Sequence, residues 1–545
     1  MKLRQSNIAR LRNGKFDVLV IGGGINGAVS AAALSAKGAR VALVDRADFA
    51  GQTSSQSSNL AWGGIKYLES NEFRLVNKLC KSRNELMRAY PSTVREIRFL
   101  GTVEKGFRFH PAFIYAGSLL YWLMGRFATR APQWLSPTAL KAREHTIDIK
   151  DAQAGVEYSD CYLYDNDARF VFNFVRNAMN YGAAAANYVN CESLHRHDGL
   201  WHATLHDSEN DERFGLTAHT IINACGPGSD ALNDASGVKT EHRHVFSKGI
   251  HLIVDRVTDT RRILAFFASD GRLFFVMPMG PKTCIGTTDT RVDDPHTGIT
   301  DEDRDFVLAN ANEMLELPKT LTRADIIAER CGVRPLAVQG RDVGDDWVAL
   351  SRKHIVEVDS TQNFVSIFGG KITDCINVGD EIAETVAELG VALPHRKQRW
   401  YGEPPPQVRD EFLHQARRMS LEDRRHPIAS EPLARRFWRR YGARAFEMLE
   451  TIRRDPSSAE PLIENTEYLR CEIEQAARDE MITKLDDFLR RRSKITLVVR
   501  HEDFIGKPGL REACDILFGD RAEAKLNEYL ESQNLLPAAA LDTAS

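Results

Sequence analysis

The chain has 545 residues, more than the ~250–300 at which one hydrophobic core stops growing, so at least two domains are expected. Apolar residues make up 43% and charged residues 27%, which excludes a disordered chain, and 72 basic against 75 acidic residues exclude a field that would gather nucleic acid. Nine cysteines, odd in number and without a C-x-x-C pair, argue against a disulfide framework or a zinc site, so a reducing compartment and no metal are expected.

Residues 1–15 are basic but lack an apolar h-region, and residues 16–22 are too short for a signal sequence or a membrane span, which predicts a cytoplasmic protein. Residues 16–21 read as a strand, 25–37 as an amphipathic helix and 40–44 as a second strand, forming a β-α-β unit. Residues 113–127 are the most membrane-like, yet they fall short of the ~18 apolar residues a span requires and predict a buried or half-buried helix. Further strands are expected at 220–223, 251–254, 273–277, 284–287 and 364–367, and helices at 170–181 and 377–389. After Trp400 the run Gly402-Glu403-Pro404-Pro405-Pro406 is a stiff linker into an Arg-, Glu- and Leu-rich helical region. Its strongest helix is expected at 467–489, where acidic residues lead and Arg490-Arg491-Arg492 close the end, as the helix dipole favours. The tail after Pro537 is expected to fray.

Gly22-Gly23-Gly24-Ile25-Asn26-Gly27 matches G-x-G-x-x-G between a strand and a helix, the context in which this pattern binds a dinucleotide. Gly22 permits a tight turn, Gly24 lets the backbone approach a pyrophosphate, and Gly27 lets the helix pack close to the strand. Asp45 stands where an acidic side chain holds a ribose hydroxyl. The fingerprint does not separate FAD from NAD. Its position at the start of the chain favours FAD, as do the strand end Asn223-Ala224-Cys225-Gly226-Pro227 and the turn Phe368-Gly369-Gly370-Lys371-Ile372-Thr373.

The run from Thr53-Ser54-Ser55 through Trp62-Gly63-Gly64-Ile65-Lys66-Tyr67-Leu68 resembles the FAD-dependent, quinone-reducing glycerol-3-phosphate dehydrogenases. So do Glu157-Tyr158-Ser159-Asp160-Cys161, Ile285-Gly286-Thr287-Thr288-Asp289, Cys331-Gly332-Val333-Arg334-Pro335 and Asp487-Phe488-Leu489-Arg490-Arg491-Arg492-Ser493. The resemblance implies an α/β fold: a discontinuous Rossmann-type FAD-binding domain (14–75, 150–250 and 350–398), an interleaved α+β substrate domain (76–149 and 251–349) and a C-terminal helical domain (407–533). It implies oxidation of sn-glycerol 3-phosphate, a phosphorylated small molecule, with electrons passed to a membrane quinone. The enzyme would be peripheral on the inner face of the cytoplasmic membrane, and a homodimer is compatible with it. Residues 113–127 and the basic clusters Arg435-Arg436-Phe437-Trp438-Arg439-Arg440 and 490–494 are candidates to dock an anionic membrane surface.

By the same resemblance, FAD would be held by Gly22, Gly24, Asn26, Gly27, Asp45, Thr53, Ser54, Ser58, Gly226, Gly370, Lys371 and Thr373. Lys66, Tyr67, Arg334, Arg352 and Lys371 would hold the substrate anion. Arg334 would also act in catalysis, with His251 as the base, since imidazole titrates near neutral pH. Where that family generally has Lys followed by His-Gly-Gly-Leu-Arg-Tyr, this chain has Asn59 and Trp62-Gly63-Gly64-Ile65-Lys66-Tyr67. Lys66 keeps the charge but lacks the fork of a guanidinium, which puts the identity of the anion in question. Two alternatives remain open on sequence: a flavin-dependent amine or amino-acid oxidase, and a flavin-binding scaffold without turnover.

Overall fold

The computed structural model describes residues 3–340 and 353–535, and the chain divides into two units, Arg10–Gly402 and Met1–Ala9 with Glu403–Ser545. The larger unit is built on two sheets. In the first, parallel strands run in the order Ala184–Ala186, Val41–Val44, Lys15–Ile21, Glu212–Asn223 and Phe364–Phe368, with Ile355–Asp359 antiparallel at one edge. Val18-Leu19-Val20-Ile21 is a continuous apolar run, as a strand covered on both faces requires, and all four residues are buried. The helix Ile25–Ala36 follows, and its alanine-rich sequence lets it sink completely among its neighbours: every residue from Gly27 to Ala36 is buried. Its close approach depends on Gly27, where an added Cβ would lie 1.8 Å from the Gly22 carbonyl oxygen.

Only the end of the strand Glu212–Asn223 is apolar enough to be predicted. Its first half alternates in burial and pairs antiparallel with Leu200–Asp207, while its last residues join the parallel core.

The second sheet has ten strands. Val94–Glu104 and Ala152–Leu163 pair antiparallel along most of their length, and His242–Val254 pairs with Lys282–Gly286, Thr290–Val292 and Ala328–Gln339. Val94–Glu104, Ala152–Leu163 and Ala328–Gln339 escape the sequence pattern because charged residues interrupt it. The structure instead buries those charges in pairs: Arg98 lies 3.2 Å from Glu157, and Arg330 pairs with Asp167, both fully buried. Leu100, Ile250, Leu252, Leu264, Phe274 and Ile285 form the core beneath the sheet.

The helix Pro111–Met124 is half-buried, the more open of the two expected states. Only Pro111, Ser118 and Tyr121 are buried, whereas Phe113 is 65% and Leu123 54% exposed. Apolar residues surround this helix, so packing one face leaves the others uncovered.

The second unit is helical, with one core around Phe412, Phe437 and Trp438 and another around Phe488, Leu510 and Leu517. The single helix expected at 467–489 is broken. Arg470–Asp479 is helical, Met481 turns left-handed at φ 51°, and a π-helical turn follows at Asp487–Arg492. The break is stabilised by Asp487, whose carboxylate accepts from the amides of Thr483 (2.9 Å) and Lys484 (2.8 Å).

The basic clusters also depart from expectation. Arg436 and Arg440 are buried against Glu467 and Glu472, and fully buried Arg492 donates to the Glu480 carbonyl oxygen at 3.2 Å. These guanidiniums bind the unit's own acceptors and are not presented to a membrane surface.

Candidate active site

A cleft of about 330 Å³ opens at the C-terminal ends of the parallel strands. Of the residues proposed for the cofactor, Gly22, Gly24, Asn26, Asp45, Thr53, Ser54, Gly226 and Gly370 line it, and Gly27 lies beneath in the helix–strand contact. Gly22 adopts φ +101°, and a Cβ there would meet the Ala224 carbonyl oxygen at 2.5 Å, so a side chain is excluded twice over. At Gly24 the nearest atom to an added Cβ is Ser54 Oγ at 3.3 Å, which leaves this backbone open to the cleft. The helix N-terminus is secured by Ser54, whose hydroxyl accepts from the Ile25 amide at 3.0 Å.

Asp45 accepts from the Gly23 amide at 2.6 Å and the Ala47 amide at 2.8 Å. Burial pushes its carboxyl up to about 6, against the pull of those two amides. Val189, Asn190 and Cys191 line the cleft as well. They come from a different strand, tied in by the Val189 amide donating to the Asp45 carbonyl at 2.8 Å, and carry no local motif by which sequence reasoning could have found them. Ser58 lies outside the lining, and its neighbour Ser57 is pinned by Asp167, which accepts from the Ser57 amide and hydroxyl at 2.9 and 2.7 Å.

Two of the candidate cations adjoin residues that line this cleft. Gly370 and Pro335 line it, and the residues next to them in sequence are Lys371 and Arg334. Lys371 Nζ donates to Tyr67 Oη at 2.6 Å, and Thr373 Oγ1 donates to the Trp62 carbonyl at 3.1 Å, so two segments some 300 positions apart are fastened together. Thr53 Oγ1 donates to the Val333 carbonyl at 2.7 Å, bringing the cofactor loop onto the strand that carries Arg334. The Arg334 guanidinium crosses Gly249, where a Cβ would lie 2.4 Å from it, and reaches Asp289 and Thr287, each at 3.5 Å. Asp289, absent from the sequence-based set, also accepts from Ser247 Oγ.

His251 stands two residues along from Gly249, directly across from Arg330 in the ladder. It is fully buried, and neither ring nitrogen has a hydrogen-bond partner among the described residues. Burial, with Arg334 and Arg330 nearby, pushes it down to about 3, so the ring is neutral at physiological pH.

Lys66 lines a second, mostly apolar cavity of about 490 Å³ with Phe107, Phe109, Phe113, Ile114 and Phe267. Asn59 is a structural residue. It is buried, donates to the Asp165 carbonyl at 2.6 Å and accepts from Arg330 at 2.9 Å. Trp62 is half-buried, edge-on to Phe275 at 6.4 Å. Arg352 lies outside the described residues.

Comparison with known proteins agrees with this geometry. Residues 17–373 match the family described as FAD dependent oxidoreductase, and residues 406–507 match the C-terminal domain of alpha-glycerophosphate oxidase. The chain is 31% identical over 530 residues to glycerol-3-phosphate dehydrogenase 2 of Mycobacterium bovis, covering 93% of this chain and 85% of that protein. It is 29% identical to the aerobic glycerol-3-phosphate dehydrogenase of Escherichia coli K12, covering 88% and 93%. The crystal structure of a glycerol-3-phosphate dehydrogenase from Bacillus halodurans complexed with FAD superposes with a TM-score of 0.74 at 25% identity, covering 97% of each chain. The cleft, the glycine turn beneath it and these likenesses agree, and the chain belongs to the FAD-dependent oxidoreductases, in the glycerol-3-phosphate dehydrogenase family.

Proposed function

We propose that this chain oxidises sn-glycerol 3-phosphate to dihydroxyacetone phosphate and passes the electrons to a membrane quinone in glycerol catabolism. The observation that carries the reading is that Lys371, bonded to Tyr67, and Arg334 each adjoin a residue lining the glycine-built cleft, on segments that only the tertiary fold brings together. The cleft suits FAD: the Gly22–Gly24 backbone and the N-terminal amides of Ile25–Ala36 would hold the pyrophosphate, and Asp45 the ribose. When bound, the flavin supplies the acceptor for the hydride equivalent leaving the substrate's secondary carbinol carbon.

The protein's own part is positioning and proton transfer. Arg334, Lys371 and Lys66 supply charge that replaces the water around a phosphate dianion, and Tyr67 orients Lys371. Neutral His251 can accept the hydroxyl proton. The anion's charge beside Arg334 offsets one of the cations that depress the ring, so binding makes the base stronger. Adding glycerol 3-phosphate without oxygen should bleach the flavin band, whereas D-amino acids should not. Bleaching by an amino acid alone would replace this reading with the amino-acid oxidase, and a flavin that no candidate reduces would favour the scaffold.

A quinone acceptor is supported by the apolar cavity that shares Lys66 with the anion region and by the uncovered helix Pro111–Met124. Among the described residues no helix is long and apolar enough to cross a membrane, so attachment at the inner face would be peripheral, through this helix. Phe113→Asp with Leu123→Asp should abolish co-sedimentation with anionic vesicles while preserving flavin bleaching. Undiminished sedimentation would remove the helix from that role.

A further inference from the structure

The turn that carries Lys371 ends at Asp374, where four side chains from three segments converge. His354 Nδ1 is 2.8 Å from an Asp374 carboxylate oxygen, and Lys78 Nζ is 3.3 Å from the same one. Ser82 Oγ at 2.9 Å and Asn377 Nδ2 at 2.5 Å donate to the other oxygen. His354 continues the chain of contacts: its Nε2 is 2.7 Å from Glu381, on the helix Cys375–Glu388. The imidazole, 2% exposed, therefore bridges two carboxylates and touches neither the cleft nor Lys371.

We propose that His354 is a positioning residue: its imidazolium, held between Asp374 and Glu381, fastens the 369–374 turn, and Lys371 and Thr373 lose their alignment when that proton leaves. The proposal rests on the reading above only in taking Lys371 as part of the anion site. The turn depends on a fastening at its end because Gly369 and Gly370 sit at φ +62° and +110°, where the backbone is freest to move. From it Lys371 reaches Tyr67 and Thr373 reaches Trp62, so a shift at Asp374 is felt on both sides of the site.

The charged groups facing His354 are Asp374 and Glu381 on one side and Lys78, on the helix Phe73–Ala89, on the other. Burial opposes the imidazolium, but the two carboxylates outweigh it and raise His354 above its ordinary value. Against its own burial, Asp374 is held down at about 2 by His354, Asn377 and Lys78. The fastening is therefore present below the raised histidine value and is lost as pH rises through it.

The test is the pH dependence of anaerobic flavin reduction by glycerol 3-phosphate in the holoenzyme, from neutral to alkaline. The rate should fall along an alkaline limb. Glu381 and Lys78 are each 47% exposed, so both can be replaced without disturbing the core. Glu381→Gln removes an anion and should move the limb to lower pH, whereas Lys78→Met removes a cation and should move it to higher pH, each by about half a unit or more. His354→Gln should flatten the limb at a reduced rate. Opposite displacements are a signature that a merely structural role would not produce. A limb unmoved by either surface variant, or moved the same way by both, overturns the proposal. So does a His354 proton resonance that titrates as described while the limb stays still. Should glycerol 3-phosphate fail to reduce the flavin at any pH, the substrate reading falls by itself. The affinity of the apoprotein for FAD, measured against pH in the same variants, then decides the role of His354 by the same pair of opposite shifts.

Discussion

The flavin cleft and the proposed anion site are built in different ways. The cleft is made of backbone: within six positions Gly22 and Gly27 have no room for a side chain, and Gly24 between them leaves its backbone open to the cleft. The proposed anion site is made of side chains: Lys66, Tyr67, Arg334 and Lys371 are spread over some 300 positions, on segments joined by cross-links such as Thr53 to Val333 and Thr373 to Trp62. A backbone site fails sterically, when something is added. A side-chain site fails electrostatically, when a charge or its alignment is removed.

The largest expected effect separates two glycines within the cleft. Gly27→Val sets a Cβ against the Gly22 carbonyl, with no flexible atom to yield, and should leave no stable folded flavoprotein. Gly24→Val has room beside Ser54 but points into the cleft, so the protein should fold yet purify without flavin. Thermal melting and flavin absorbance per protein distinguish the two, and a yellow Gly24→Val protein would refute the cofactor assignment.

Next come the charges. Arg334→Ala should lower kcat/KM for glycerol 3-phosphate by about 100-fold, roughly 3 kcal/mol, at unchanged flavin content. Unaltered kinetics would remove Arg334 from the site. Lys66→Met should cost ~1.5–3 kcal/mol. Lys66→Arg should retain activity if the pocket accepts the fork, and equal turnover by Lys66→Met would end the case for Lys66 as an anion ligand.

The smallest effects test how the site is held. Tyr67→Phe removes the hydroxyl bonded to Lys371 and should cost ~1 kcal/mol in kcat/KM, measured at constant flavin content.

His251 makes a prediction about stability. Its folded value is depressed, so the unfolded chain binds the extra proton, and stability should fall as pH drops below the unfolded value near 6.5 towards about 3. The loss from this group should reach ~2 kcal/mol at pH 5, and His251→Asn should remove it from the denaturation curve. An identical acid dependence in that variant would show that the ring is not held neutral by burial.

The sequence by itself determined what short-range rules govern. The apolar run 18–21, the glycine turn after it and the alanine-rich helix specify the first β-α-β unit, because strand burial, turn geometry and close packing all act within some thirty residues. The resemblance found along the chain named the family and eight of the residues that line the cleft, those of the glycine turn, the Asp45 strand end, the Thr53-Ser54 loop, Gly226 and Gly370.

What escaped the sequence was the fate of individual charges and apolar side chains, since that depends on partners supplied from elsewhere in the chain. Arg436 and Arg440 read as a basic surface patch but are buried on Glu467 and Glu472. Phe113 and Leu123 belong to a segment that read equally as buried or half-buried, and they lie open. Asp289 closes a motif without showing there which residue it meets, His354 carries no motif, and the two matter through Arg334 and Asp374. Whether an arginine meets a carboxylate or a phenylalanine finds a neighbour is set by contacts tens to hundreds of residues away, which no local pattern encodes and only the tertiary structure decides.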